Sequence, residues 1–221
     1  LVSEPLCIHS GWSNFETCVG TISDDNLNIS VPGTDFYYAS THLQVAGLMA
    51  IKAAGMANWQ ELFSRFKDDT GLFQTSTYDL PSASNPRLAG GMHWTADEYM
   101  DFLEAIYHKD ILSEELIVLM TADQIDGATI SYSPANDGIG YDWHYGYGTW
   151  MECNSATYNC DPADRVSSPG AYGAYPFIDF SSGVYGIIAR QGALGTFAEG
   201  YQVFSSVVTE IESWAELQNS R

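Results

Sequence analysis

Residues 32–47, Pro32-Gly-Thr-Asp-Phe-Tyr-Tyr-Ala-Ser-Thr-His-Leu-Gln-Val-Ala-Gly47, join a turn to the start of a helix. The Pro-Gly pair is typical of a turn, and an aromatic run follows it. From Leu43 onward the apolar residues are spaced by three and four positions, which predicts a helix. Ser40 or Thr41 can cap that helix by accepting a hydrogen bond from one of its first free amides. Tyr38 therefore lies just before a helix N-terminus, where its phenol can be directed into a cleft.

The rest of the chain predicts helices first and strands afterwards. Gly55 and Gly71 are typical helix ends, and Thr95-Ala-Asp-Glu98 is a capping box. Helices are predicted over residues 41–54, 58–68, 95–106, 113–120 and 196–217, and strands over 145–152, 175–180 and 183–190, with 1–31, 70–92 and 121–142 irregular. This order predicts an α+β fold, with a mostly helical region over residues 1–140 and, over 141–221, antiparallel strands covered by a C-terminal helix.

The first part of the sequence is similar to a known family. The pattern Pro-Gly-Thr-x-Phe-x-Tyr-Ala-Ser, followed by a helix ending in Gly, resembles the second motif (Tyr-x-Asn) of the serine beta-lactamases and penicillin-binding-protein-like hydrolases. Tyr38 falls on the motif tyrosine and Ser40 on the usual Asn. A serine hydroxyl can still donate and accept a hydrogen bond where the amide would. The alternative interpretation is an aromatic loop that only packs on a core helix.

Two later segments extend the resemblance. Asn85-Pro-Arg-Leu-Ala-Gly-Gly-Met92 resembles the Ala-Gly-Gly segment of the family, and Ser167-Ser-Pro-Gly-Ala-Tyr-Gly173 resembles its third motif, usually Lys-Thr-Gly or His-x-Gly. Ser168 stands at the Lys or His position, and Gly170 is the motif glycine. The resemblance implies that Ser168, Gly170 and Tyr172 bind substrate. Loss of the basic residue argues against a true beta-lactamase or a carboxypeptidase and favours a small ester or amide substrate. An ordinary turn is the alternative interpretation of these residues.

The nucleophile that the family requires is missing from its expected place. The family's first motif is Ser-x-x-Lys, in which the Lys accepts the proton of the serine, and it precedes the Tyr motif. The sole match, Ser64-Arg-Phe-Lys67, follows the Tyr motif. Helical geometry places Ser64 away from the apolar stripe of its helix, so we expect it to face solvent. We therefore expect an N-terminal segment or companion chain to supply Ser-x-x-Lys and to cover the exposed sheet edge.

The resemblance also implies a mechanism of acyl transfer. Tyr38 would act as general base and acid, while Ser40 and Ser168 orient the substrate. A backbone amide on the strand after Gly170 would contribute to an oxyanion hole. The alternative is a non-catalytic protein that uses the same scaffold to bind a ligand or a partner, since both Ser40 and Ser168 depart from the family pattern. Neither function calls for a metal or another cofactor.

Charge excludes some classes of partner. The 221 residues carry 28 acidic side chains and only 8 basic ones, a net charge of -20. Such a protein is repelled by nucleic acids and by anionic membrane surfaces. No apolar run reaches the roughly 18 to 20 residues needed to span a bilayer, and the first residues contain no signal-peptide core.

The cysteines indicate an oxidising compartment. Cys7 and Cys18 form one close pair in the sequence, and Cys153 and Cys160 form another. The even count favours two local disulfides, although four cysteines allow three connectivities. Asn28-Ile-Ser30 is a glycosylation sequon. Together these features predict a protein that is secreted or lies in another oxidising compartment, and buried free thiols are the alternative interpretation.

Overall fold

The computed structural model describes residues 6–9, 11, 14–24, 30–160, 163 and 165–220. The helices are α1 Phe15–Asp24, α2 Thr41–Ala54, α3 Trp59–Thr70, α4 Ala96–Tyr107, α5 Glu114–Met120, α6 Pro134–Ile139, α7 Phe197–Ser205 and α8 Val208–Asn219, and Leu6–His9 form a 3-10 turn. The strands are β1 Asp35–Tyr37, β2 Thr77–Tyr78, β3 Met92–His93, β4 Thr129–Tyr132, β5 His144–Tyr145, β6 Trp150–Glu152, β7 Arg165–Ser167, β8 Tyr175–Asp179 and β9 Val184–Ile188.

The chain divides into two compact units. The first contains Leu1–Val31 and Tyr38–Glu98, and the second contains Pro32–Tyr37 and Tyr99–Arg221. Helix α2 has the predicted bounds and ends at Gly55 in the left-handed conformation. Helix α3 begins after Asn58, whose side chain accepts a hydrogen bond from the amide of Glu61, and it ends at Gly71. Both helices were therefore correctly predicted from local residues.

The first unit is built on α1, α2 and α3. Its core consists of Phe15, Val19 and Ile51, with partly buried apolar residues packed around them: Val45, Leu48, Met56, Trp59, Leu62 and Leu88. Helix α1 lies in a region that was predicted to be irregular. The prediction was wrong because polar residues in the helix obscure the spacing of the apolar residues on its buried face. The loop predicted over residues 70–92 instead contains an antiparallel pair, β2 and β3, with Thr77 opposite His93.

Loop 85–91, which resembles the Ala-Gly-Gly segment, is fixed by a buried glutamine of α2. Gln44 Nε2 donates to the carbonyl of Pro86 at 3.2 Å, and Gln44 Oε1 accepts from the amide of Leu88 at 2.6 Å. Asn85 is also buried and donates to the carbonyl of Cys7 at 2.8 Å. Two buried amide side chains therefore hold this loop within the first unit.

The second unit contains a five-stranded antiparallel sheet in the order β5-β6-β7-β8-β9. Alternate residues of a strand point to opposite faces of the sheet. On one face, Val166 and Ile178 pack with Leu103 and Ile106 of α4 and Ile117 of α5. The other face carries a largely aromatic cluster against α7, which includes Tyr175, Phe177 and Phe204. The sheet is therefore covered on both faces by helices, as the predicted α+β fold requires.

Several predicted elements of the second unit differ from the observed ones. The single strand predicted over 145–152 is two strands, β5 and β6, joined by a turn at Gly146-Tyr-Gly148. The region 121–142 contains β4 and α6, and β4 pairs in parallel with β1. The predicted closing helix is interrupted at Ser206 and Val207 and forms α7 and α8. The hairpin between the last two strands is confirmed as β8 and β9.

Candidate active site

Tyr38 lies in the short segment that connects β1 to α2. It directly follows β1, whose pairing with β4 fixes the backbone up to Tyr37, and it precedes α2 by two residues. The Tyr38 side chain is half-buried. Ser40 occupies the N-cap position of α2, but its side chain accepts no hydrogen bond from the helix amides. The expectation that Ser40 or Thr41 caps α2 is therefore wrong: Thr41 is already the first helical residue, and the backbone of Ser40 is helical.

The segment that resembles the third motif is a turn between β7 and β8. Ser167 is the last residue of β7, and Ser168 is exposed while its amide donates to the carbonyl of Pro176 at 3.1 Å. The amide of Gly170 donates to the carbonyl of Ala174 at 2.8 Å, and the amide of Gly173 donates to the carbonyl of Gly170 at 2.9 Å. These bonds close a tight turn over residues 170–174.

The turn sets the direction of one backbone donor. The carbonyl of Gly170 points into the turn, toward the amide of Gly173. In a planar trans peptide the next N–H points the opposite way, so the amide of Ala171 is directed out of the turn. The expected oxyanion donor after Gly170 thus lies in a turn and not on a strand. Tyr172 follows in the same turn, and its side chain is 39% exposed.

The structure brings the predicted site residues together in two groups. Tyr38 and Ser40 belong to the first compact unit, and Ser168, Gly170 and Tyr172 lie within one short loop of the second. Within each group the backbone is fixed by hydrogen bonds or strand pairing. The assembly of both groups around one substrate stays a prediction of the resemblance.

The Ser64-x-x-Lys67 match does not have the features of a nucleophile and its base. Ser64 is exposed on α3, as expected from the helical spacing. Lys67 Nζ donates to the carbonyl of Ser76 at 3.4 Å and lies 5.1 Å from the centre of the Phe63 ring. The lysine is therefore engaged in packing and hydrogen bonding within the first unit.

A buried charged network beneath α7 was missed by sequence reasoning. Glu152 is 0% exposed and pairs with Arg165 across β6 and β7, with Oε2 3.2 Å from Arg165 Nε. The hydroxyl of Tyr175 donates to Glu152 Oε1, and the Arg165 guanidinium lies 4.8 Å from the centre of the Phe204 ring. Burial raises the pKa of Tyr175 well above its ordinary value, and the charge of Glu152 raises it further. The sequence signal for this network was the presence of Glu152 and Arg165 within apolar strands. Charged side chains are rarely buried in such strands unless they are paired.

An open cleft of about 420 Å³ adjoins this network. Its polar lining consists of Tyr141, Glu152, Asn154, Arg165, Tyr201, Gln202 and Ser205. The Tyr201 hydroxyl donates to Asn154 Oδ1 at 3.1 Å, so two of the lining polar groups are already paired with each other. The cleft lies between α7 and the sheet, and Phe204 and Val208 add an apolar part to its lining.

A second polar group, at β5, was also missed. His144 Nδ1 lies 2.5 Å from Asp123 Oδ2, and the imidazole stacks on the Tyr158 ring with centroids 3.8 Å apart. Asp142 Oδ2 accepts a hydrogen bond from the amide of Tyr158 at 3.0 Å. Asp123 and His144 are 21 positions apart in the sequence, and no spacing pattern predicts that they pair.

The two disulfides have the predicted connectivity. Cys7 bonds to Cys18, and Cys153 bonds to Cys160, which closes the loop that carries Tyr158. These bonds are consistent with an oxidising compartment. The predicted glycosylation site, Asn28, lies outside the described residues.

The described residues contain neither a metal-binding cluster nor a membrane-spanning helix. Within residues 6–9, 11, 14–24, 30–160, 163 and 165–220, no cluster of three His, Cys, Asp or Glu side chains could hold a metal ion. The helices in the described part of the chain are too short or too polar to cross a membrane.

Two solved structures are similar to this chain. A crystal structure of a provisionally named beta-lactamase from Bacteroides dorei DSM 17855 is 29% identical, with a TM-score of 0.74, over 91% of this chain and 65% of that one. A crystal structure of a beta-lactamase from Mycobacterium bovis is 16% identical, with a TM-score of 0.63, over 82% of this chain and 66% of that one. No family model and no curated protein matches the sequence.

These similarities establish the fold. The chain has a beta-lactamase-like fold, in which helices, an antiparallel sheet and C-terminal helices follow in the order that the resemblance implied. The chain spans just under two thirds of the length of each of the two similar proteins.

Proposed function

We propose that this chain is the C-terminal part of a secreted serine hydrolase, whose nucleophile lies on a segment outside residues 1–221. The observation that carries the proposal is the 29% identity to the Bacteroides dorei protein over 91% of the chain. The position of Tyr38 directly before the N-terminus of α2 supports it, because the motif tyrosine of the resemblance was expected there. The two disulfides support a secretory route.

The proposed reaction has two steps. The hydroxyl of a serine in Ser-x-x-Lys attacks the substrate carbonyl, so that an O–C bond forms, and its proton passes through the Lys and Tyr38 to the leaving group. The bond from the carbonyl carbon to the leaving group then breaks. Water then attacks the acyl-serine, so that a new C–O bond forms and the bond from the carbonyl carbon to the serine oxygen breaks; Tyr38 accepts a proton from the water and donates it to the serine oxygen. The amide of Ala171, which points out of its turn, supplies one hydrogen bond to the oxyanion.

The substrate is proposed to be a small neutral ester or amide. Ser168 is exposed and stands where the family usually has Lys or His, so the motif offers a hydroxyl to the substrate and no positive charge. A hydroxyl can orient a neutral ester or amide by hydrogen bonding. It provides no ion pair for a substrate carboxylate.

Two features of the second unit support the binding of the proposed segment. Among the described residues, β8 is the only strand that pairs with β9, so the other edge of β9 is available for strand addition. Helix α8 also exposes Trp214 at 58% and Leu217 at 62%, three residues apart on one side of the helix. Unpaired edges and exposed apolar side chains favour association with another segment.

The first test is intact-mass analysis of the natural purified protein under denaturing conditions, before and after treatment with a fluorophosphonate. We expect a polypeptide that contains Ser-x-x-Lys to gain the mass of the phosphonyl group. That polypeptide is either an extended form of this chain or a second chain beside the 24.3 kDa species. A lone 24.3 kDa species without an adduct contradicts the proposal.

The second test is Tyr38→Phe, compared with Tyr37→Phe as the control. Tyr37 is the adjacent residue, and its exposed ring contacts Tyr132. Loss of the Tyr38 hydroxyl should lower the rate of fluorophosphonate labelling and of ester hydrolysis by about 10²- to 10⁴-fold, the usual contribution of general acid–base catalysis. Tyr37→Phe should stay within about twofold of wild type by that same reasoning. If a folded wild-type protein is not labelled, a non-catalytic binding protein on this scaffold replaces the hydrolase.

A further inference from the structure

The turn over residues 170–174 is bound along its outer side by the segment that connects β9 to α7. The carbonyl of Ala171 accepts hydrogen bonds from the amides of Gly195 at 2.8 Å and Thr196 at 3.1 Å. The carbonyl of Tyr172 accepts from the amide of Gly192 at 2.7 Å. Two successive carbonyls of the turn are therefore tied to three amides of this connection.

Arg190 is at the centre of these contacts. Its Nη1 donates to the carbonyl of Tyr172 at 3.3 Å and to Thr196 Oγ1 at 2.8 Å, and its Nη2 pairs with Glu199 Oε2 at the first turn of α7. Thr196 Oγ1 in turn donates to the carbonyl of Ala193 at 2.8 Å. A single guanidinium thus joins the turn, the connection and the start of α7, which requires the planar fork of several donors that only Arg provides.

Glycine residues make room for this arrangement. Gly173 has φ +91°, a backbone conformation that residues other than glycine rarely adopt. A Cβ at this position would also overlap Arg190 Nη1. A Cβ on Gly200 of α7 would overlap the carbonyl oxygen of Gly173. The guanidinium and α7 therefore lie against the backbone of the turn, in space that a side chain at either glycine would need.

We propose that Arg190 is a positioning residue, which fixes the 170–174 turn and thereby the direction of the Ala171 amide and the substrate-binding residues. This inference rests on the proposed function, because it assigns Arg190 a role at the same site. Arg190 does not act on the substrate directly. Its guanidinium is occupied by Glu199, Thr196 and a backbone carbonyl, and it acts through the backbone of the turn.

The test compares Arg190→Lys with Thr196→Val, using Arg65→Lys as the matched control. Arg65 also pairs with an acid, Asp69, but on the exposed side of α3. Hydrogen exchange at the amides of Gly192, Gly195 and Thr196 in the purified protein measures the order of the turn without any need for activity. We expect exchange at least about tenfold faster in Arg190→Lys, an intermediate increase in Thr196→Val, and no change in Arg65→Lys.

The kinetic arm measures ester hydrolysis on the same variants. Arg190→Lys should lower kcat by about 10- to 100-fold with a smaller change in KM, because the turn loses its alignment and the substrate pocket keeps its residues. Exchange and kcat both within twofold of wild type in Arg190→Lys overturn the inference. If wild-type protein is not labelled by the fluorophosphonate, the proposed function fails, and the exchange result alone decides whether Arg190 orders the turn.

Discussion

At the scale of single residues, the most consequential side chains of the second unit are Glu152 and Arg165. Each is buried, at 0% and 8% exposure, and each compensates the charge of the other. The hydroxyl of Tyr175 donates a hydrogen bond to the second carboxylate oxygen of Glu152. Glu212, a residue of α8, lies with its Oε1 atom 3.5 Å from Arg165 Nη2. Removal of one partner of such a pair leaves an uncompensated charge in a medium of low polarity.

We predict that Arg165→Met lowers the free energy of unfolding by about 3 to 5 kcal/mol, because Glu152 then stays buried without its counter-charge. Urea denaturation followed by circular dichroism measures the change. Lys52→Met is the control, since Lys52 and Glu16 form an ion pair at an exposed surface. Loss of one partner of an exposed pair lowers the free energy of unfolding by at most about 1 kcal/mol. Equal losses in the free energy of unfolding for the two variants would contradict the prediction, because the buried pair would then stabilise the fold no more than the exposed pair does.

At the scale of the elements, the first turn of α4 is bound to the turn that precedes β2. Glu98 Oε1 accepts a hydrogen bond from the amide of Thr75 at 2.6 Å, and Oε2 accepts from the hydroxyl of Ser76 at 2.7 Å. The amide of Glu98 donates to Thr95 Oγ1 at 3.3 Å. Only half of the expected capping box is formed: Thr95 caps the helix, while Glu98 binds a different segment. Burial raises the pKa of Glu98, but these hydrogen bonds outweigh it and hold the pKa below its ordinary value.

We predict that Glu98→Ala lowers the free energy of unfolding by about 1 to 3 kcal/mol, because the buried hydroxyl of Ser76 loses its partner. Asp97→Ala, at an exposed position in the same turn, is the control. Because the folded pKa of Glu98 lies below the unfolded one, its contribution is present above about pH 4.5 and is lost as the pH falls through the folded pKa. Wild type and Glu98→Ala should therefore converge in stability below that pH, and a constant difference down to pH 2 would contradict this assignment.

The elements differ in how far local sequence determines them. Helices α2 and α3 were predicted because Gly55, Asn58 and Gly71 mark their ends through hydrogen bonds within a few residues. Strands β1 and β4 were missed because each is stabilised by a partner more than 90 residues away. The break between α7 and α8 falls at Ser206 and Val207, which carry no Pro or Gly to mark it. Local chemistry predicts caps and turns, whereas short strands depend on tertiary pairing.

At the scale of the whole molecule, the fold class was predictable and the site only in part. The order of helices and strands, together with the residues around Tyr38 and Gly170, led to the beta-lactamase-like fold. The contacts that shape the 170–174 turn come from Arg190 and from the connection between β9 and α7, which no motif marks. A motif identifies the residues that meet a substrate, while their positions depend on distant side chains whose partners are visible only in three dimensions.

Each compact unit contains a tyrosine whose ionisation opposes folding, and this predicts the behaviour of the whole molecule at high pH. In the first unit, burial among Trp59 and Phe63 raises the pKa of Tyr78 to about 12. In the second, burial and then the charge of Glu152 raise the pKa of Tyr175. Because the folded pKa values exceed the unfolded value of about 10, the stability linked to these groups is complete below pH 10 and is lost as the pH rises above it.

We therefore predict that the free energy of unfolding falls steeply between pH 10 and 12, with Tyr78 alone accounting for about 2 to 3 kcal/mol by pH 12. Urea denaturation at pH 8, 10 and 11, with tyrosinate absorbance recorded in parallel, measures the slope. Tyr78→Phe should lower that slope by about 1 kcal/mol per pH unit near pH 11, because the unfolded chain then has one fewer phenol to ionise. Tyr147→Phe, at a position 62% exposed, is the control. Equal slopes for wild type and Tyr78→Phe would mean that the Tyr78 phenol ionises as readily in the folded protein as in the unfolded chain.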